Sequence, residues 1–342
     1  MKKTLLALAI VLLYCVPAFA ASGELYLYIW SEYIPDAVVE NFTKETGVKV
    51  HMSNYDSNEA MYTKVKLAGQ GYDLIVPSSD YVSLMRRQGL LLPLDKSKLS
   101  NFEYLASKFT NQSFDPKNIY SVPYMWGSTS IAVNTAMLGN NTVTSIADLW
   151  KPELQGKLLL PNEPREVFAL ALKLLGYPLN ETNSAHIKEA YQKLKNLIPS
   201  VRVFDSDSPK QALLAGEVAV GVVFNGEAFI ANQENPDIKY IYPPEGYNLW
   251  VDSLCIPKGA KNIEEAHAFL DYLMRPDVAA IISTEMGYST PNAAAMNLIP
   301  EKVRNNPIVY PSKEVIERGE FQDYLGDPMK LYDEYWIKLK TN

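Results

Sequence analysis

From Glu24 onward the chain alternates short β-branched or aromatic runs with amphipathic stretches that open on helix-start residues. Side chains repeat every two residues in a strand and every 3.6 in a helix, so this rhythm commits the chain to βα units around mainly parallel sheets. The first half shows it most cleanly. Leu25–Ile29 reads as a strand, Pro35–Thr46 as a helix closed by Gly47, and Val48–Met52 as the next strand. A helix capped by Ser57 or Asp56 follows, then a buried strand from Tyr72 to Pro77 and a helix through Arg86. Further strands are expected at Ile131–Asn134, Lys157–Leu160, Val201–Phe204, Val218–Phe224, Lys239–Tyr242 and Trp250–Ile256. Helices are expected at Pro164–Leu175, Ala185–Leu197, Ile263–Met274, Pro276–Met286 and around Lys330–Lys340.

At 342 residues the chain exceeds what one hydrophobic core usually organises, which predicts two compact lobes, with one long α/β domain as the alternative. No Gly/Ser-rich or Pro-rich linker separates two halves, so the chain must cross between lobes through ordered strands. Ser130–Asn134 and Trp250–Ile256 are the candidates. The expected division gives residues 21–130 plus 253–299 to lobe 1 and residues 131–252 plus 300–342 to lobe 2. Residues 1–20 stand apart. Lys2 and Lys3 precede an apolar run, Leu5 to Tyr14, that ends in Pro17 and Ala18-Phe19-Ala20, the pattern of a cleaved secretory signal peptide. Cys15 leaves with it, so Cys255 stands alone and no intramolecular disulfide is expected. A lipid anchor on Cys15 is the alternative, with Tyr14 where a small residue is normally required.

Charge narrows the partners. Lys plus Arg total 32 against 39 Asp plus Glu, a net −7 that repels nucleic acid and favours a cationic ligand. Catalytic signatures are missing: no G-x-G-x-x-G after a strand, no P-loop, no G-x-S-x-G and no H-E-x-x-H. Neither a cofactor nor a metal is expected. His51, His186 and His267 are scattered, and Cys255 reads as a small buried hydrophobe. Glu163 and Glu166 are the one pair that suggests glycoside hydrolysis. Yet they open a single helix with Pro164 at its first position, where Glu166 reads as part of a cap.

The strand around Trp250 carries the most information, because alternation puts Trp250 and Asp252 on one face. Burying an unpaired carboxylate costs several kcal/mol, so Asp252 must meet water, a basic residue such as Lys258, or a positive ligand. An indole beside the acid adds roughly 0.5–2 kcal/mol for a cation. Tyr28-Ile29-Trp30-Ser31-Glu32-Tyr33 places a second aromatic group at the carboxyl end of a strand, the usual ligand edge of an open α/β sheet. Ser78, Ser79 and Asp80 follow the Tyr72–Pro77 strand in the same way, or cap the next helix. Phe224 with Glu227, and Tyr288, also sit at element ends.

These segments resemble the periplasmic spermidine/putrescine-binding proteins of ABC importers, a bacterial extracellular solute-binding family. The likeness rests on Trp30-Ser31-Glu32-Tyr33, Val76-Pro77-Ser78, Pro123-Tyr124-Met125-Trp126-Gly127, Arg165-Glu166-Val167-Phe168, Trp250-Val251-Asp252-Ser253 and Arg275-Pro276-Asp277-Val278, and covers nearly all of the mature chain. It implies a two-lobed, type II periplasmic binding protein of the α/β class. Each lobe would be a mainly parallel sheet flanked by helices, with the ligand in the interlobe cleft. It also implies a non-enzymatic role in the periplasm, a polyamine ligand and a membrane permease with its ATPase as partners. By resemblance the ligand-stacking rings match Trp30, Tyr33, Trp250 and Tyr288, with Phe224 where many spermidine binders have Trp. The ammonium-binding acids match Glu166 and Asp252, and Glu163 stands where Asp is common. Ser78, Ser206 and Gln322 match polar positions of the cleft, and Ser31, inside the matching Trp30–Tyr33 segment, is a further candidate binding residue. Two departures bear on the ligand: Asp80 stands where a spermidine binder has Tyr, and Glu227 where putrescine binders have an acid. Gln322 and the Gly287–Asn292 segment favour spermidine over putrescine. The rivals are a same-fold binder of another small ligand and a secreted glycoside hydrolase using Glu163 and Glu166.

Overall fold

The computed structural model describes residues 23–69, 71–139 and 141–341; the expected signal segment 1–20, with Cys15, lies outside them. Ten strands alternate with helices: β1 (Glu24–Trp30), β2 (Lys49–Tyr55), β3 (Leu74–Ile75), β4 (Ser121–Asn134), β5 (Leu158–Leu160), β6 (Val201–Phe204), β7 (Val220–Phe224), β8 (Ile238–Ile241), β9 (Tyr247–Cys255) and β10 (Gly319–Phe321). They join in the order β2-β1-β3-β9-β4-β7-β5-β6, with β10 on β9 and β8 on β4. Both flanks of this sheet are parallel, as helix crossovers between successive strands require. Between the flanks β9 and β4 run antiparallel to each other and to their outer neighbours.

Packing divides along the same line. Leu27, Ile29, Val122 and Leu254 belong to one apolar cluster; Tyr28, Ile75, Val251 and Cys255, alternating with them along the strands, belong to the cluster on the opposite face. Ile131, Leu158 and Val222 form a third cluster, and Ala132, Leu159 and Val223 a fourth across the sheet from it. Two sheet halves, each covered on both faces, make the two-lobed arrangement. β4 crosses from one to the other: Met125 and Trp126 pack in the first half, Ile131 and Ala132 in the second.

The elements follow the sequence rhythm with two physical exceptions. β4 begins at Ser121, well before the expected Ile131, because Pro123 and Gly127 read as strand breakers. Pro123 sits where the pairing with β9 shifts register, a place that tolerates its missing N–H, and every residue of β4 is buried, so no polar alternation announces the strand. The strand expected at Tyr72–Pro77 keeps only Leu74–Ile75 in regular pairing. Asp73 instead ties the loops together, accepting from the amides of Tyr26, Lys261 and Asn262 at 2.9, 2.9 and 3.0 Å. Among the described residues no helix is long and apolar enough to cross a membrane.

Candidate functional site

Strands that run parallel end on the same side, and here the ends of β1, β2, β3 and β7 converge where the two halves meet. The fourteen expected positions line one cavity there. The first half contributes Trp30, Ser31, Tyr33, Ser78 and Asp80; the second contributes Glu163, Glu166, Ser206, Phe224, Glu227 and Gln322; Trp250, Asp252 and Tyr288 complete the wall.

A row of rings forms one side. Tyr33 meets Tyr288 at 5.2 Å between centroids, Tyr288 meets Trp250 at 5.4 Å, and Trp250 meets Phe224 at 6.1 Å, all edge to face. Trp30 is fixed by its indole Nε1, which donates to the Val76 carbonyl at 2.9 Å, and by Tyr55 at 4.7 Å. Two glycines make room for this row. A Cβ on Gly127 would lie 2.5 Å from the Trp250 ring, and one on Gly226 would lie 2.3 Å from the Tyr288 ring. The sequence segments around these glycines are therefore ring seats.

The acids fall into three environments. Asp252 lies at the centre, accepting from the Tyr33 hydroxyl at 2.7 Å and the Ser78 hydroxyl at 2.6 Å. Ser78 is held in turn by the Asn58 side chain, and Lys258 is not Asp252's partner. Burial pushes the Asp252 carboxyl up to about 7 despite both hydroxyls. Glu163, Glu166, Asp80 and Glu59 gather at one end. The helix Pro164–Leu174 opens without a side-chain cap hydrogen bond, so the capping reading of Glu166 fails. Its carboxylate is instead held by the Asn248 amide. One oxygen of each, Glu163 Oε1 and Glu166 Oε2, is buried without a hydrogen-bond partner among the described residues. Burial, then the neighbouring carboxylates Glu59 and Glu166, hold Glu163 well above the ordinary range; burial raises Glu166 and Glu59 each to about 7. Asp80 is also raised by burial. Arg165 lines this end, but its guanidinium is spent on Leu179 O, Asn180 Oδ1 and Asp323 O at 3.0–3.3 Å.

The third environment differs. Glu227 lines the opposite end, but its carboxylate already accepts from the buried ammonium of Lys210 at 3.1 and 3.3 Å. The same ammonium pairs with Glu32. Burial raises the Glu227 carboxyl while Lys210 pulls it back, and burial lowers the Lys210 amine while Glu227 and Glu32 hold it above its usual range.

Sequence reasoning missed Tyr55, Asn58, Glu59, Tyr81, Arg165 and Asp207 as wall residues. The rule that found Trp30, the carboxyl end of a parallel strand, also reaches Tyr55 and Asn58 after β2. Lys210 left no such signal. Elsewhere, His51 stacks on Tyr26, His186 bonds Glu181, and His267 accepts from the Asp95 amide at 2.9 Å. None of the three lines the cavity.

Comparison with known proteins places this geometry. Residues 37–311 match the family model for bacterial extracellular solute-binding proteins. The spermidine/putrescine-binding periplasmic protein of Salmonella typhimurium is 47% identical over 342 residues, covering 99% of this chain and 98% of its own. Its counterpart of the same name from Escherichia coli is 48% identical over 321 residues, covering 94% and 92%. A solved protein of Listeria monocytogenes assigned to a spermidine/putrescine ABC transporter superposes with a TM-score of 0.90 at 40% identity, over 94% of this chain and 99% of that one. With most of its length inside the family model and near-half identity to full-length relatives, the chain belongs to the bacterial extracellular solute-binding protein family.

Proposed function

We propose that the chain is the periplasmic substrate-binding component of a polyamine ABC importer, taking spermidine and/or putrescine and delivering it to a membrane permease driven by its ATPase. The observation that carries this reading is the pair of buried carboxylate oxygens on Glu163 and Glu166, unpartnered in a cavity walled by aromatic rings. A polyamine is a methylene chain studded with ammonium groups. Flat rings at Trp30, Tyr33, Trp250 and Tyr288 suit the chain, while Asp252, Glu163 and Glu166 suit the nitrogens. Ser31, Ser78, Ser206 and Gln322 supply polar groups on the cavity wall. Several such pairs, after dehydration of both ions, leave the ~8 kcal/mol of micromolar binding. The names of the relatives support the same ligand class.

In this reading the lobes comprise residues 21–130 plus 253–299 and residues 131–252 plus 300–342, close over the ligand about the β4 and β9 crossings, and thereby report occupancy to the permease. Residues 1–20 act as the export signal. The site binds and releases its ligand unchanged. Titration calorimetry of refolded protein with putrescine, cadaverine, spermidine and spermine tests the assignment. Micromolar or tighter binding of at least one, weakened tenfold or more by Trp250→Ala, supports it; sugars or amino acids binding in their place would refute it.

A further inference from the structure

The two ends of the cavity are not equivalent, and the difference comes from one side chain. Glu32 and Glu227 lie 195 positions apart in the chain, in different halves of the fold, and both carboxylates converge on the Lys210 ammonium. Lys210 is only 5% exposed. Its ammonium is further held by the Ser208 hydroxyl at 3.2 Å, and the Lys210 amide also points at Glu227. Glu32 adopts a left-handed backbone, φ 48°, which L residues with a side chain rarely take, directly after the Trp30-Ser31 wall segment. Glu227 lines the cavity; the lysine stands behind it. Among the described residues no cation forms an ion pair with the carboxylates at the Glu163/Glu166 end; Arg165 lowers Asp80 and Glu166 only through space, its guanidinium being bonded elsewhere.

Resting on the polyamine reading, we propose that Lys210 is a specificity-determining residue: from behind the cavity wall its tethered ammonium pairs with Glu227, so that this acid is not offered to a ligand nitrogen, and the cleft is set for a diamine held between Asp252 and Glu163/Glu166. A paired, buried carboxylate offers little to a second cation, because Lys210 has already neutralised it and both cations repel each other in a dry site. A longer triamine therefore finds no free carboxylate at the Glu227 end, and must displace Lys210 there or crowd its third ammonium among Glu163, Glu166, Asp80 and Glu59. This preference runs opposite to the one drawn from Gln322 and the Gly287–Asn292 segment. It also explains why the extra acid at Glu227 does not simply add a ligand subsite.

The test is competition calorimetry with putrescine and spermidine on three forms of the refolded full chain: unaltered, Lys210→Met, and Lys210→Met/Glu227→Gln. Lys210→Met keeps the stem and removes the charge. The ratio of spermidine to putrescine affinity is expected to rise at least tenfold in Lys210→Met and to return to within threefold of the unaltered value in the double variant. Lys210→Gln gives the same reading should the methionine variant not fold. A purely structural role for Lys210 would move the melting temperature and both affinities together, leaving the ratio unchanged, and that result overturns the proposal. Absence of binding to either amine in all three forms would instead overturn the polyamine reading beneath it.

Discussion

One end of the cavity gathers carboxylates that form no ion pair among the described residues; at the other, Glu227 on the wall shares a lysine with Glu32 behind it. At Glu163 and Glu166 two buried oxygens lack partners, whereas at Glu32 and Glu227 a buried ammonium satisfies both acids. A fold tolerates the first arrangement only by holding its carboxyls protonated or by meeting a cation from outside, since unpaired buried charge is costly. The second arrangement is self-contained and crosses between the halves of the molecule. The contrast teaches that acidic residues on a cleft wall do not all face the ligand's charge, and that local pairing tells them apart.

The sharpest way to break this contrast is to neutralise each end separately. Glu163→Gln together with Glu166→Gln is expected to weaken polyamine binding at least a hundredfold, roughly 3 kcal/mol. The same change should stabilise the ligand-free protein at pH 8, because it removes buried acids that lack partners. Denaturant melts with and without putrescine read both effects. Glu227→Gln should do the reverse, lowering stability by about 2–3 kcal/mol by stripping a partner from buried Lys210. Putrescine affinity should change by less than threefold. Equal behaviour of the two ends in these melts would erase the distinction.

A smaller effect follows from protonation. Asp252 and Glu166 have carboxyls raised by burial to about 7. Their folded values lie above the unfolded ones, so the folded chain binds more protons between about pH 4 and 7. Stability of the ligand-free form therefore falls as pH rises through that window. An ammonium ligand favours the ionised acids, so binding releases protons and affinity falls as pH drops below 7, by about tenfold for each unit-sized shift that the ligand reverses. Calorimetry at pH 6.5 in two buffers of different ionisation enthalpy should show net proton release. Net uptake would contradict the assignment of Asp252 and Glu166 as ammonium acids.

Much of this site was legible in the sequence because its chemistry is concentrated at strand ends. Trp250 and Asp252 are two residues apart on β9, and alternation alone puts them on one face. Trp30 and Phe224 end strands, so the rule for open α/β sheets picks them out from sequence. Other features were hidden for identifiable reasons. The first part of β4 carries Pro123 and Gly127, which imitate a loop, although Gly127 is there to seat the Trp250 ring. Glu166 resembled a helix cap because caps and ligand acids favour the same first-turn positions. Lys210 is 178 residues from Glu32, and nothing local distinguishes it from a surface lysine. Pairings of that kind depend on tertiary closure and cannot be read from spacing.

The central claim is that the buried acids Asp252, Glu163 and Glu166 await a flexible polycation. The most direct measurement is binding of putrescine to refolded, ligand-free protein at pH 7.5, with Asp252→Asn alongside. The account predicts micromolar or tighter binding by the unaltered chain and a loss of at least tenfold in the variant. Equal affinity in the two proteins, or no binding by the unaltered chain, would contradict it.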